Sequence, residues 1–203
     1  MFSKDRVNKW LKNTGSMDEK VVELSNEATL YHDQIAKMIP ALQKHVKDLT
    51  ADKHPYVKCS TGIRGYKEGM VVKSLAAKVD KAGDAVDKMN EKTTNIGRNI
   101  SNDIMAKCLS YKEVECRDID QQMKQYAKVC KELENNKKKA DKDANNNYLV
   151  DASQESLKKC TEETLATLAK FNKASVEVYN STAKQFLKLM EAYCDDGARI
   201  MDV

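Results

Sequence analysis

Glycine and proline are scarce in this sequence, seven and two among 203 residues. An all-β chain needs a turn about every 8–12 residues and the residue types that make one, so strands are excluded as the main element. Aromatic residues are only 6% of the chain, which speaks for a thin helical core over a thick globular one. No apolar run approaches the roughly 20 residues a membrane-spanning helix needs. The six cysteines (Cys59, Cys108, Cys116, Cys130, Cys160, Cys194) contain no C-x-x-C pair. Most fall at helical core positions, where cysteine acts as a small apolar residue, so a reducing compartment and no disulfide framework are expected. The opening MFSKDRVNKWLKNTGS lacks the apolar core of a secretory signal, so a cytoplasmic protein, attached to a membrane from outside if at all, is expected.

Catalytic signatures are missing as well. There is no P-loop and no G-x-G-x-x-G; TGIRGYKEG has neither the spacing nor a preceding strand. No Ser/His/Asp, Cys/His or paired-carboxylate set is brought together by the pattern, so no enzyme activity, metal or cofactor is expected. His32, His45 and His54 are scattered, and His45, on an apolar stripe, reads as a satisfied core or interface histidine. The net charge of +4 is mild, and the aromatic interleaving of an RNA binder is absent, so no nucleic-acid partner is expected.

Helix formers are abundant, and three long amphipathic stretches stand out. In the first, from about Met17 to Lys53, Val21, Leu24, Ala28, Tyr31, Ile35, Met38, Leu42 and Leu49 recur at steps of three and four. Pro40 inside it predicts a kink near Lys37–Pro40, and His54-Pro55 predicts its end. YVKCSTGIRGYKEG (56–69) reads as the main connection, with room for a short helical turn. The second stretch runs from about Gly69 to Lys142. Its stripe of Val72, Leu75, Val79, Ala82, Val86, Met89, Thr93, Ile96 and Ile100 resumes in a shifted phase at Cys116, Ile119, Met123, Tyr126, Cys130 and Leu133. The shift across 100–112 predicts a bend or a change of partner. Gly69, Gly83 and Gly97 recur every 14 residues; tolerated glycine is preferred here over close helix approach. The third stretch, about Leu149 to Ile200, carries Leu157, Cys160, Thr164, Leu168, Phe171, Ser175, Val178, Thr182, Phe186, Leu189, Tyr193 and Ile200.

The expected fold is all-α: a long antiparallel three-helix coiled-coil bundle over 17–203, preceded by an amphipathic segment over 1–16. NNKKKADKDANNN (135–147) then lies at the tip of the hairpin of the second and third helices. Seven lysines against four acids over 124–143 leave three positive charges in excess. The candidate contact residues at the tip are Lys128, Lys131, Lys137, Lys138, Lys139 and Lys142. A stripe left wet at the base of such a hairpin is covered by dimerisation.

Helix order and relative length resemble the BAR domain family of membrane-curvature proteins. The likeness is best in IGRNISNDIMAKCLSYKEVECRDIDQQMKQYAKVCKELENNKKKADK (96–142) and FNKASVEVYNSTAKQFLKLMEAYCDDGARIM (171–201). The resemblance implies a crescent-shaped homodimer that binds anionic phospholipid membranes and senses or stabilises curvature without catalysis. It also implies a basic concave face, with Lys73, Lys78, Lys81, Lys88 and Lys92 as candidates, interrupted by Asp80, Asp84, Asp87 and Glu91. Members that insert a helix begin with an amphipathic segment. Here Val7, Trp10, Leu11 and Thr14 share one helical sector, with Lys4, Arg6, Lys9 and Lys12 outside it. Insertion of this segment and its packing on the bundle are both open. The alternative function is a helical protein-interaction adaptor or cytoskeletal linker with no lipid role.

Overall fold

The computed structural model describes residues 18–51 and 54–202. Of these 94% are helical, with the run through Lys73–Ala140 counted as one of four helices, and none is in a strand. The chain is all-α, as expected. The amphipathic segment with Lys4, Val7, Lys9, Trp10, Leu11 and Lys12 lies outside the described residues.

Helix α1 spans Glu19–Leu49. Asp18 starts it: its Oδ1 accepts the backbone N–H of Lys20 at 2.9 Å and of Val21 at 3.3 Å, the N-cap arrangement. The helix continues through Pro40. His54-Pro55 does not end this helix; it begins the next. Proline suits the first helical position, where its missing N–H costs nothing, and His54 Nδ1 accepts the Tyr56 N–H at 3.4 Å. The segment read as a connection is therefore helix α2, Pro55–Gly65, extended by a 3-10 turn over Tyr66–Gly69.

Helix α3 (Lys73–Asn99) runs without a break into a π-helical stretch (Ile100–Met105) and then α4 (Ala106–Ala140). The π stretch accounts for the shifted stripe. Ile96, Ile100, Ile104 and Cys108 are buried at successive steps of four. Each such step overshoots a 3.6-residue turn by about 40°. The wider i→i+5 turn absorbs that drift, so all four face inward. Val72 and Leu75 depart from the expected stripe, at 52% and 48% exposed. Val72 precedes the helix and Leu75 lies in its first turn, ahead of the stretch that packs. Helix α5 covers Asn147–Met201.

The chain divides into two compact units, and α1, α5 and the α3–α4 run each contribute to both. In the first unit (residues 1–37 and 108–180), Asn136 bonds Ser153 at 2.7 Å, Gln122 bonds Thr164 at 3.1 Å, and the Tyr111 hydroxyl meets Ser175. Partners on α5 rise as those on α4 fall, so these helices run antiparallel. Phe171, Leu168, Ile119, Met123 and Tyr126 fill the core. The polar members of the stripe are satisfied locally: Thr164 and Ser175 donate to the carbonyls of Cys160 and Phe171 one turn back, both at 2.7 Å.

In the second unit (38–107 and 181–203), Leu42, Ile96, Ile100 and Ile104 pack with Met38, Val46, Leu49, Phe186, Leu189 and Tyr193. His45 stacks on Phe186 with ring centroids 5.6 Å apart. Its buried Nε2 has no hydrogen-bond partner among the described residues, so it is not the satisfied histidine expected.

Two of the recurring glycines, Gly83 and Gly97, do mark close approach. A Cβ on Gly97 would stand 2.6 Å from Thr50 Cγ2 and 3.2 Å from Leu49 Cβ; one on Gly83 would meet the Arg64 side chain at 3.2 Å. Thr50 cannot simply turn away, because its Oγ1 donates to the Val46 carbonyl at 2.8 Å. Gly97→Ala therefore loses about 1–3 kcal/mol to overpacking, more than the helix-propensity gain of about 1 kcal/mol. Gly62→Ala, in α2 with nothing within 4 Å of the added carbon, is stabilising. Thermal melts should move in opposite directions for the two. Equal shifts would show that α1 does not press on Gly97.

Candidate functional site

The hairpin turn is built from the end of α4. Asp141 N–H returns to the Lys137 carbonyl at 2.9 Å, and Asp143 N–H to the Lys139 carbonyl at 3.0 Å. Asp143 then caps a 3-10 turn, Ala144–Asn146, by accepting the Asn145 N–H at 3.0 Å. Lys137, Lys138 and Lys139 occupy the last turn of α4, where cations offset the negative helix end. All three are exposed, as are Lys128, Lys131 and Lys142. No ion pair within the described residues engages any of the six. The turn is closed by backbone bonds and by Asp143, so the lysine side chains are not used in holding it.

The α3 lysines separate from the acids once α2 is in place. At 100° per residue, Lys78, Lys81, Lys88 and Lys92 fall within a sector of about 80°. Asp80, Asp84 and Asp87 lie on the neighbouring sector and meet α2 and its 3-10 extension. Arg64 reaches Asp84 at 2.8 Å and Asp87 at 2.6 Å, and Lys67 reaches Asp80 at 2.6 Å. A hydrogen bond from Ser60, then that of Arg64, holds the Asp87 carboxyl below the usual carboxylate range. The acids thus pair with α2, not within their own helix. Two of the candidates do not fit the basic face: Lys92 is bound to Asp196 at 2.6 Å, and Lys73 falls on the acidic side. Lys78, Lys81 and Lys88 remain exposed, without an ion pair among the described residues. Arg64 and Lys67 were missed because the segment that holds them read as a loop.

An apolar strap was also missed. Between the 3-10 turn and α3, Met70 and Val72 have extended backbone, and Val71 between them is 95% exposed. Tyr66, Met70, Val72 and Leu75 are exposed beside it, and Val72 gives α3 no side-chain cap. The only signal in the sequence was the doublet Val71-Val72 directly before a lysine.

Among the described residues, no group of three His, Cys, Asp or Glu is placed to hold a metal. No described helix is long and apolar enough to cross a membrane. Burial raises the Cys116 and Cys130 thiols to about 11 and also raises Cys160. A thiol whose pKa is raised by folding favours the native state until the unfolded chain ionises, so stability falls as pH climbs from 9 toward 11. With Cys59 and Cys194 exposed and the other four buried, a thiol reagent should titrate two groups quickly in the native protein and the rest on unfolding. Six fast thiols would contradict this packing.

No protein-family model matches the chain. No curated protein matches it either.

Proposed function

We propose that the chain binds anionic phospholipid membranes as a homodimer and senses or generates curvature in trafficking or membrane remodelling, as its resemblance to the BAR domain family implies. In this reading the long helices form a three-helix antiparallel coiled coil, two copies pair into a crescent, and the protein is cytoplasmic and peripherally bound. The observation that carries it is the hairpin turn with its six exposed lysines. A charge cluster that holds nothing together is suited to an external anion, and each lysine near an anionic leaflet contributes roughly 1 kcal/mol. The face of Lys78, Lys81 and Lys88 adds charge, and the strap at 70–72 adds apolar side chains beside a free helix N-terminus. No catalytic role enters this reading.

The adaptor reading draws on the same strap, since exposed valines beside a tyrosine also suit a protein partner. Charge decides between the two: lipid binding at the lysines is lost in salt, while docking on apolar side chains is not. For the dimer, light scattering at micromolar concentration should give twice the chain mass of 22.9 kDa. A clean monomer removes the crescent.

A further inference from the structure

A groove of about 490 Å³ lies between the π stretch and α5, wholly within the second unit. Its floor is apolar: Ile104 is fully buried and Leu189 half-buried. Above the floor stand two cations, Lys107 and Lys188, one carboxylate, Asp103, and the amides of Asn102 and Gln185. The wide i→i+5 turn sits at its mouth, a feature that recurs at functional sites. Asp103 and Lys107 are four residues apart, the spacing at which opposite charges pair on an α-helix. They do not pair here: the π stretch ends between them, and Lys107 Nζ donates to Gln185 Oε1 at 3.1 Å instead. Asp103 and Lys188 are exposed and have no ion pair among the described residues. Neither the tip lysines nor the basic face of α3 uses this groove.

We infer that the groove binds a small zwitterion with two anionic groups and one primary ammonium, the chemistry of a phosphoserine headgroup. Charge is the first argument. Two lysines and one carboxylate match a phosphate, a carboxylate and an ammonium group for group. A glycerol phosphate offers nothing to Asp103, and an ethanolamine phosphate leaves one lysine unmatched. A choline headgroup has no N–H to donate and is held by aromatic cages, and no aromatic ring lines this groove. Hydrogen bonding is the second argument. The amide N–H groups of Asn102 and Gln185 suit phosphate and carboxylate oxygens, and the Asp103 carboxylate only accepts, as an ammonium requires. Size is the third: the volume falls within the range of about 300–1,000 Å³ common to small-ligand sites. A phosphoserine inside a peptide has neither a free amine nor a free carboxylate, so a phosphopeptide does not fit. Binding of this chemistry stands apart from the membrane reading; that the ligand arrives as phosphatidylserine rests on it.

Glycerophosphoserine, the soluble headgroup, tests the site without a membrane. Titrated into the full chain, it should move the backbone amide resonances of 102–107 and 185–189 with millimolar affinity. Glycerophosphoglycerol, which lacks the ammonium and the carboxylate, should bind about tenfold more weakly, as the loss of a charge-assisted pair implies. Asp103→Asn keeps the shape and removes the ammonium's partner, so it should weaken glycerophosphoserine by about tenfold as well. Should that variant not fold, Lys188→Gln gives the same readout from α5. Resonances that do not move, or move equally with both compounds, overturn the site, as does unchanged affinity in a folded variant. Vesicles then decide the source. Phosphatidylserine and phosphatidylglycerol carry the same net charge, so attraction to lysines alone binds vesicles of equal mole fraction equally. The parent should bind the serine lipid severalfold more tightly, and Asp103→Asn should bring the ratio to one. That substitution also removes a negative charge, so the ratio is read and not the affinity. A ratio of one in the parent, with the soluble headgroup bound, overturns the lipid source and leaves the free compound as ligand. A parent that binds neither vesicle overturns the membrane function, and the headgroup titration still decides the site.

Discussion

Replacing Lys137, Lys138 and Lys139 with glutamate should weaken binding to anionic vesicles by about four orders of magnitude at low salt. In the proposed dimer, two tips would supply six of these charges. At roughly 1 kcal/mol each near an anionic leaflet their loss is worth about 6 kcal/mol, before any repulsion from the new carboxylates. The defect should shrink as the Debye length falls toward about 8 Å at physiological ionic strength. The fold should change little, since the turn is closed by the carbonyls of Lys137 and Lys139 and by Asp143, not by the lysine side chains. A small loss of stability is expected, because the three lysines close α4 and anions there oppose the helix dipole. Co-sedimentation with vesicles across a salt series checks the first effect and a thermal melt the second. Unchanged sedimentation would reduce the cluster to a solvated turn.

Phe171→Ala should be the most damaging single change to the first unit. Phe171 is 2% exposed, its ring lies 5.5 Å from that of Tyr111, and its carbonyl accepts the Ser175 hydroxyl. Removing a buried phenylalanine costs about 3–5 kcal/mol in transfer energy and cavity. For a chain of this size each kcal/mol moves the midpoint by about 2–4 °C, so Tm should fall by roughly 10 °C. Phe171→Leu keeps most of the volume and should recover more than half of the loss. A fall of only a degree or two would mean that α5 does not pack on Tyr111.

The long helices could be read from the sequence because their stripes are local. Phe171, Leu168 and Thr164 sit where steps of three and four put them, and burial confirms each position. The π stretch was visible only as a phase error, since counting residues reveals a drift without its cause. What was misread depended on distant partners. His54-Pro55 looks like a stop until His54 is seen to cap the next helix. Gly97 has no reason to be glycine until Leu49 and Thr50 arrive against it. Asp80, Asp84 and Asp87 seemed to spoil a basic face because Arg64 and Lys67, which pair with them, come from a segment taken for a loop. The tip lysines were legible as a cluster and are exposed as expected. Val71 and its neighbours were passed over because an apolar doublet next to a helix normally joins the core.

The most direct test of the membrane function is sedimentation of the purified chain with vesicles of anionic and of neutral phospholipid at equal lipid concentration. The account predicts that the protein pellets with the anionic vesicles at low salt, stays in solution with the neutral ones, and is released from the anionic ones as salt rises. Protein that stays in solution with both kinds of vesicle, or pellets equally with both and resists salt, contradicts it.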